Sequence, residues 1–298
     1  MPGRRSPVAA ALALALAACE RPLPATRGVP PRAAGEVAGW LAGGEAAFPP
    51  PGRPPALDVR LRALGAEVYR VRCAPCHGVN GNGHGPQAAR LGIPARDFTT
   101  GVYELRSTPS GTLPTDEDLY RTVSRGLRGT AMLPWSWLTE LERHALVAQL
   151  KSFSSRFEEE EPGEPAVIPP EPPLSPALLA RGSEAYREAG CPNCHGPRGE
   201  GDGPSAPTLR RDAGAPVRPR PFADRRFLRG GSMRDLWLTL VTGLDGTPMP
   251  SYETLPPDDV WAIAAHVRAL AGLDAEVDQA LPPDPEERLG FQIDILGR

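Results

Sequence analysis

One short cysteine and histidine motif occurs twice in this sequence, as Cys-x-x-Cys-His at 73–77 and at 191–195. The residues concerned are Cys73, Cys76, His77, Cys191, Cys194 and His195. Two thiols one helical turn apart can add to the two vinyl groups of a single haem, and the histidine beside them reaches the iron from one face. The motif therefore predicts two covalently bound haem c groups, one at each copy.

Two other kinds of site also use closely spaced cysteines. A thioredoxin-like dithiol needs only Cys-x-x-Cys, and a zinc site could draw on both pairs. Neither alternative explains why a histidine directly follows each pair. The sequence therefore favours haem attachment over both.

The second axial ligand of each iron is sought among the methionines, because thioether sulfur suits a low-spin haem of high potential. Beyond Met1, the methionines are Met132, Met233 and Met249. Met132 follows His77 by 55 residues. Met249 follows His195 by 54 residues. These two are predicted to be axial ligands, whereas Met233 is predicted to be a surface or packing residue.

Bis-histidine ligation is the main alternative to methionine ligation. The remaining histidines are His84, His144 and His266. When the two halves of the sequence are aligned, these histidines stand at the positions of Asp202, Trp261 and Gln149. Because none recurs in register, all three are predicted to be solvated or packed side chains.

The motifs belong to an internal duplication of the chain. With a shift of 117 positions, Gly65–Tyr69 lies over Gly182–Tyr186, and Gly129–Met132 lies over Gly246–Met249. The cysteine motifs match with a shift of 118 positions. The sequence therefore encodes two similar units.

Each unit is predicted to consist of helices joined by long loops, and no strand pattern competes. One amphipathic stretch precedes the cysteines in each unit. The second is predicted near Glu117–Arg125 and Met233–Val241, and the third near Glu140–Phe153 and Asp258–Leu270. Acidic residues near Thr115 and Pro257 mark helix starts.

These residues resemble the small monohaem cytochrome c domain, duplicated as in diheme cytochromes c of bacterial respiratory chains. The resemblance implies an all-α fold of two tandem cytochrome c-like domains. The predicted domains span residues 57–157 and 175–272. An acidic, Pro-rich linker at 158–174, led by a run of four glutamates, joins them and is expected to leave them semi-independent.

In that family the first and last helices of the domain cross, and the first helix carries a glycine and an aromatic residue at the crossing. The matching residues here are Gly65 and Tyr69, and Gly182 and Tyr186. The family often places an aromatic residue where this chain has Gln149 and His266. The resemblance also implies that the carbonyls of Pro86 and Pro204 accept the proton of the iron-binding imidazoles.

The amino terminus is predicted to be an export signal at residues 1–18. Arg4 and Arg5 precede an apolar run of about 11 residues, too short for a membrane span of roughly 20. The stretch Leu16–Cys19 resembles the lipobox of bacterial lipoproteins, which implies lipidation of Cys19; an ordinary signal with an incidental cysteine is the alternative. A Pro-rich tether at 19–56 and a tail at 273–298 are also predicted.

The combined prediction is a periplasmic electron-transfer protein, anchored by lipid to a membrane, that passes single electrons between redox proteins of a respiratory chain. It has no predicted catalytic residues and no small-molecule substrate, so it is not expected to be an enzyme. A net charge of −3 gives no support for nucleic-acid binding. The alternatives are a diheme peroxidase and a fixed cytochrome subunit of a larger oxidase or reductase.

Overall fold

Both repeats fold as helices joined by loops. The computed structural model describes residues 59–273; the predicted signal, Cys19, the tether and the tail beyond Leu273 lie outside the described residues. Within this range there is no β-strand, only an isolated bridge between Arg210 and Pro216. The all-α prediction is therefore confirmed.

The first four helices of repeat 1 recur in the same order in repeat 2. In repeat 1, residues 59–159, they are α1 (Val59–Arg72), α2 (Ala74–His77), α3 (Asp116–Arg125), α4 (Glu140–Lys151) and α5 (Arg156–Glu159). In repeat 2, residues 176–273, they are α6 (Pro176–Glu188), α7 (Pro192–His195), α8 (Met233–Thr242) and α9 (Pro257–Leu270). None of these helices, within the range described, is long and apolar enough to cross a membrane.

The helix starts lie within one residue of the predicted positions. Thr115 Oγ1 accepts the N–H of Asp118 at 3.1 Å, and Asp118 Oδ2 accepts the N–H of Thr115 at 3.1 Å. This capping box satisfies backbone donors at the start of α3, where carboxylates also complement the helix dipole. α9 begins at Pro257. Proline is tolerated at this position because the N–H of a first-turn residue has no acceptor within the helix.

The first and last helices of each repeat cross at a glycine. A methyl group on Gly65 of α1 would overlap the carbonyl oxygen of Ala145 in α4, and one on Gly182 of α6 would overlap that of Ala262 in α9. The two backbones thus approach too closely for any side chain. Gln149 and His266 lie at these crossings: their Cβ atoms would be 3.2 and 2.9 Å from the added methyl groups.

Gly182→Ala is expected to lower the free energy of unfolding by about 1–3 kcal/mol, because the added methyl group must push α6 away from α9. Guanidinium titration followed by helical circular dichroism measures the change. Gly92→Ala is the matched control, since its methyl group would meet no atom within 4 Å. Equal losses in the two variants would contradict a close crossing at Gly182.

The two repeats are joined by buried contacts, which corrects the expectation of semi-independent domains. Arg106 of repeat 1 is fully buried and donates to the carbonyl of Thr242 in repeat 2 at 2.7 Å. Its guanidinium also lies 2.8 Å from Asp245 Oδ1. A buried cation paired across the two repeats leaves them little freedom to move apart.

The Pro-rich linker also contacts both repeats. The N–H of Ala166 donates to the carbonyl of Ser107 in repeat 1 at 2.8 Å. Ala166 and Ile168 pack against the core of repeat 2. The linker is therefore attached to both repeats near Ala166 and does not act as a free spacer, although its exact bounds stay a prediction.

Candidate functional site

A one-turn helix positions each cysteine and histidine motif. α1 ends at Arg72, and the N–H of Cys73 donates to the carbonyl of Tyr69 at 2.8 Å as the chain turns into α2. The N–H of His77 then donates to the carbonyl of Cys73 at 2.9 Å, and Gly78 follows with a φ of 79°. The left-handed glycine reverses the chain directly after the histidine.

A tyrosine from the preceding helix fixes the turn after each histidine. Tyr69 donates its hydroxyl to the carbonyl of Gly78 at 2.8 Å, and Tyr186 donates to Gly196 at the same distance. These aromatic residues, implied by the family resemblance, thus have a defined contact. They connect the crossing helices to the motif in each repeat.

Each histidine ring stacks on a phenylalanine that sequence reasoning missed. The rings of His77 and Phe98 have centroids 4.5 Å apart, and those of His195 and Phe222 are 5.0 Å apart. Both phenylalanines are buried and begin a short 3₁₀ turn. Their position in the repeat alignment is obscured by loops of different length, so the duplication did not reveal them.

The imidazole of His77 is held by Arg96, not by Pro86. His77 Nδ1 lies 3.1 Å from the carbonyl oxygen of Arg96. Because a carbonyl can only accept, Nδ1 carries the proton and Nε2 is left free for a metal. The prediction for Pro86 is therefore wrong.

The backbone explains this correction. Gly85 and Gln87 donate their N–H groups to the carbonyls of Cys76 and Pro75, at 3.1 and 2.8 Å. These bonds hold Pro86 against α2 through the residues on either side of it.

Pro204 is held in the same way in repeat 2. Gly203 and Ser205 donate their N–H groups to the carbonyls of Cys194 and Asn193, at 3.2 and 2.9 Å. The structure gives Pro204 no hydrogen bond to the ring of His195, whose buried Nδ1 lacks a partner among the described residues. That the Pro204 carbonyl accepts the proton of the His195 ring stays a prediction.

Each methionine lies in a loop that is closed by a threonine. In repeat 1, Thr130 Oγ1 donates to the carbonyl of Leu127 at 2.8 Å and accepts the N–H of Met132 at 3.0 Å. In repeat 2, Thr247 makes the same bonds to Leu244 and Met249, at 2.7 and 3.2 Å. The Gly-Thr-x-Met pattern occurs in both halves of the sequence. This repetition is the signal that singled out Met132 and Met249.

One cavity of about 650 Å³ brings the predicted residues together. Its lining includes all the motif residues and both repeated methionines: Cys73, Cys76, His77, Met132, Cys191, Cys194, His195 and Met249. Met233 instead is buried in the core of repeat 2. His84, His144 and His266 do not line the cavity, so the structure gives no support for bis-histidine ligation.

The ionisation of the motif favours a haem over the alternatives. Burial lowers the pKa of His195 to about 4 and also lowers that of His77, so both rings are neutral at pH 7, as a metal ligand requires. Burial raises the pKa of the Cys73 thiol to about 12 and that of Cys191 to about 11. A redox dithiol needs a thiol pKa below the usual value, not above it.

A zinc site finds no support in the placement of the side chains. Across residues 59–273, no three His, Cys, Asp or Glu side chains come together in a way that could hold a metal ion.

The unsatisfied polar atoms of the cavity fit a haem. Besides His195 Nδ1, two buried donors of lining residues have no partner in the part of the chain described, Tyr103 Oη and Arg229 Nε, and a carboxylate can accept from both. Seven arginines line the cavity, against one acidic residue, Glu104, in the same described lining. Apolar walls with a cationic excess suit a flat apolar ring that carries carboxylates.

Comparisons with known proteins agree with this geometry. The family model described as cytochrome c matches residues 179–271, and the model described as cytochrome c oxidase, cbb3-type, subunit III matches residues 61–149. A solved chain of the reducing HAO-like protein complex of Kuenenia stuttgartiensis is 42% identical, with a TM-score of 0.68. The match covers 70% of this chain and 95% of that one. No curated protein matches the sequence.

Proposed function

This chain belongs to the cytochrome c family, and we propose that it carries two covalent haem c groups and passes single electrons between redox proteins of a respiratory chain. One observation carries the proposal: both cysteine and histidine motifs and both repeated methionines line a single cavity. Both domains are cytochrome c domains, and electron transfer is the function that they share.

In repeat 1, Cys73 and Cys76 would form the thioether bonds, with His77 and Met132 as axial ligands. In repeat 2, the same roles fall to Cys191, Cys194, His195 and Met249. A bound haem supplies an iron that gains or loses one electron.

The chain's own residues orient these ligands. The Arg96 carbonyl keeps the Nδ1 proton of His77, and Thr130 and Thr247 close the methionine loops. If His77 and Met132 hold one iron and His195 and Met249 hold the other, no position would be left on either iron for a substrate, which favours a carrier over an enzyme.

Location is the second part of the proposal. The export signal at 1–18 and the lipobox-like Leu16–Cys19 support a periplasmic protein held on a membrane through a lipid on Cys19. Mass spectrometry of the mature protein tests this. A diacylated amino-terminal Cys19 supports the anchor, and cleavage at another position overturns it.

A fixed subunit of a complex is a second candidate. The observation that favours it is the likeness to a chain of a reducing HAO-like protein complex. Size-exclusion chromatography of the native protein, extracted with mild detergent, separates the two candidates. A free diheme protein supports the carrier, and a fixed stoichiometry with a second polypeptide supports the subunit.

Met132→Ala and Met249→Ala are each expected to remove about half of the near-infrared sulfur-to-iron band in the magnetic circular dichroism spectrum of the oxidised protein, because each methionine serves one of two irons. Met233→Leu is the control, since this methionine is buried in the repeat 2 core. A wild-type spectrum with a high-spin haem, together with rapid turnover of peroxide, would instead indicate the peroxidase alternative.

A further inference from the structure

Arg96 and Arg220 occupy the same position in the two repeats. Each lies two residues before the phenylalanine that stacks on the motif histidine of its own repeat. The backbone is also placed alike, because methyl groups on Gly83 and Gly201 would lie 3.5 and 3.6 Å from the carbonyl carbons of Arg96 and Arg220. The two side chains can therefore be compared directly.

The side chain of Arg220 crosses from repeat 2 to the methionine loop of repeat 1. Its Nη1 donates to the carbonyl oxygen of Arg128 at 3.1 Å. A methyl group on Gly129 would overlap the same nitrogen, so the guanidinium packs directly on this glycine. Gly129 has a φ of 70° and opens the Gly-Thr-x-Met loop that carries Met132.

The side chain of Arg96 reaches from repeat 1 to the methionine loop of repeat 2. A methyl group on Gly246 would lie 3.1 Å from Arg96 Nη1, so this guanidinium lies against the loop that carries Met249. Glu104 pairs with Arg96 and also with Arg211 of repeat 2. The shared carboxylate, 10% exposed, fixes the guanidinium at the junction of the repeats.

We propose that Arg96 and Arg220 are reciprocal positioning residues, each of which closes the methionine loop of the other repeat. Arg220 stabilises the loop of Met132, and Arg96 stabilises the loop of Met249. The inference rests on the proposed methionine ligation and extends it. Each thioether is thus held in place by the neighbouring repeat.

The local structure explains why such support is needed. Thr130 and Thr247 close their loops from within, but Gly129 and Gly246 both have positive φ and no side chain of their own to pack. The groups nearest these glycines come from the other repeat: Arg220 and Arg226 at Gly129, and Arg96 and Val102 at Gly246. Because a weak iron–sulfur bond depends on the position of the sulfur, loosening these contacts weakens the bond.

The test measures the sulfur-to-iron band of each methionine separately in the full-length, haem-loaded protein. In a Met249→Ala background the remaining sulfur-to-iron band belongs to Met132, and in a Met132→Ala background it belongs to Met249. Arg220→Met is expected to remove at least half of the Met132 band and to lower the midpoint potential of that haem, while the Met249 band is kept. Arg96→Met is expected to give the reverse result.

Two control variants separate packing from charge. Arg220→Lys keeps the positive charge, so a smaller loss of the Met132 band than in Arg220→Met is expected. Arg198→Met removes an exposed arginine of the same repeat, which pairs with Glu200 two residues away, and is expected to change neither band. Haem content is measured in every variant as the pyridine haemochrome per chain.

The outcomes are distinct. An intact Met132 band in Arg220→Met, or an equal loss of the Met249 band, overturns the proposal. If Arg220→Met holds fewer than two haems, the comparison is made with Arg220→Lys: a loss confined to the Met132 band supports the proposal, and an intact band overturns it. Absence of the sulfur band from the wild-type protein would instead overturn the proposed ligation itself.

Discussion

Replacement of Cys191 and Cys194 by serine is expected to yield a chain with one covalent haem instead of two. Each cysteine pair lies on its own one-turn helix, with a histidine at its end. The thiols of repeat 1 are not altered by the change, so attachment at Cys73 and Cys76 is expected to continue. Both cysteines are replaced together because a single thioether bond can still hold a haem.

Intact mass under denaturing conditions and the pyridine haemochrome per chain measure the loss, which is expected to be half of the wild-type value. The complementary pair, Cys73→Ser with Cys76→Ser, is the matched variant and is expected to lose the other half. A wild-type haem count in either variant would contradict attachment at that motif.

Arg106→Met is expected to lower the free energy of unfolding by about 3–5 kcal/mol, because it removes one partner of a buried ion pair. Arg106 is fully buried, donates to Pro109 and Tyr103 in its own repeat, and donates to Thr242 in the other. Burial lowers its pKa, and the nearby Asp245 opposes that shift. Without the guanidinium, the Thr242 carbonyl loses its donor, and the Asp245 carboxylate loses its cationic partner but keeps the hydroxyl of Ser110 and the N–H of Gly111 as donors.

Guanidinium titration of the haem-loaded protein measures the effect. Adding Asp245→Asn to Arg106→Met is expected to cost less than the sum of the two single changes, since the pair acts as a unit. Lys151→Met is the control: Lys151 and Asp116 form an ion pair whose side chains are 25% and 46% exposed, so at most about 1 kcal/mol is expected. Comparable losses in the two variants would show that Arg106 does not join the repeats.

The residues of the cavity were predictable where the duplication aligned them. The motifs at Cys73 and Cys191 and the methionines Met132 and Met249 recur at nearly equal spacing, and the structure places them in one cavity. The crossing glycines were found in the same way through the family resemblance. The helix starts were predicted to within one residue, because the capping and acidic residues that mark a start lie in the same short stretch of sequence.

The contacts of Arg96 and Arg106 were not predictable from the sequence. The carbonyl that holds His77 belongs to the backbone, and any residue type could provide it. Arg106 and Asp245 are 139 positions apart, and neither lies in an aligned part of the duplication. A pairing that depends on how two repeats dock has no local pattern to reveal it.

The single cavity has a consequence for biogenesis. Its walls come from both repeats, so the cavity is complete only after the repeats have docked. A chain loaded at only one motif would therefore dock around a partly empty space, and the walls that face this space would lose packing contacts. We expect such a chain to open more readily and to be cleaved faster by proteases during maturation.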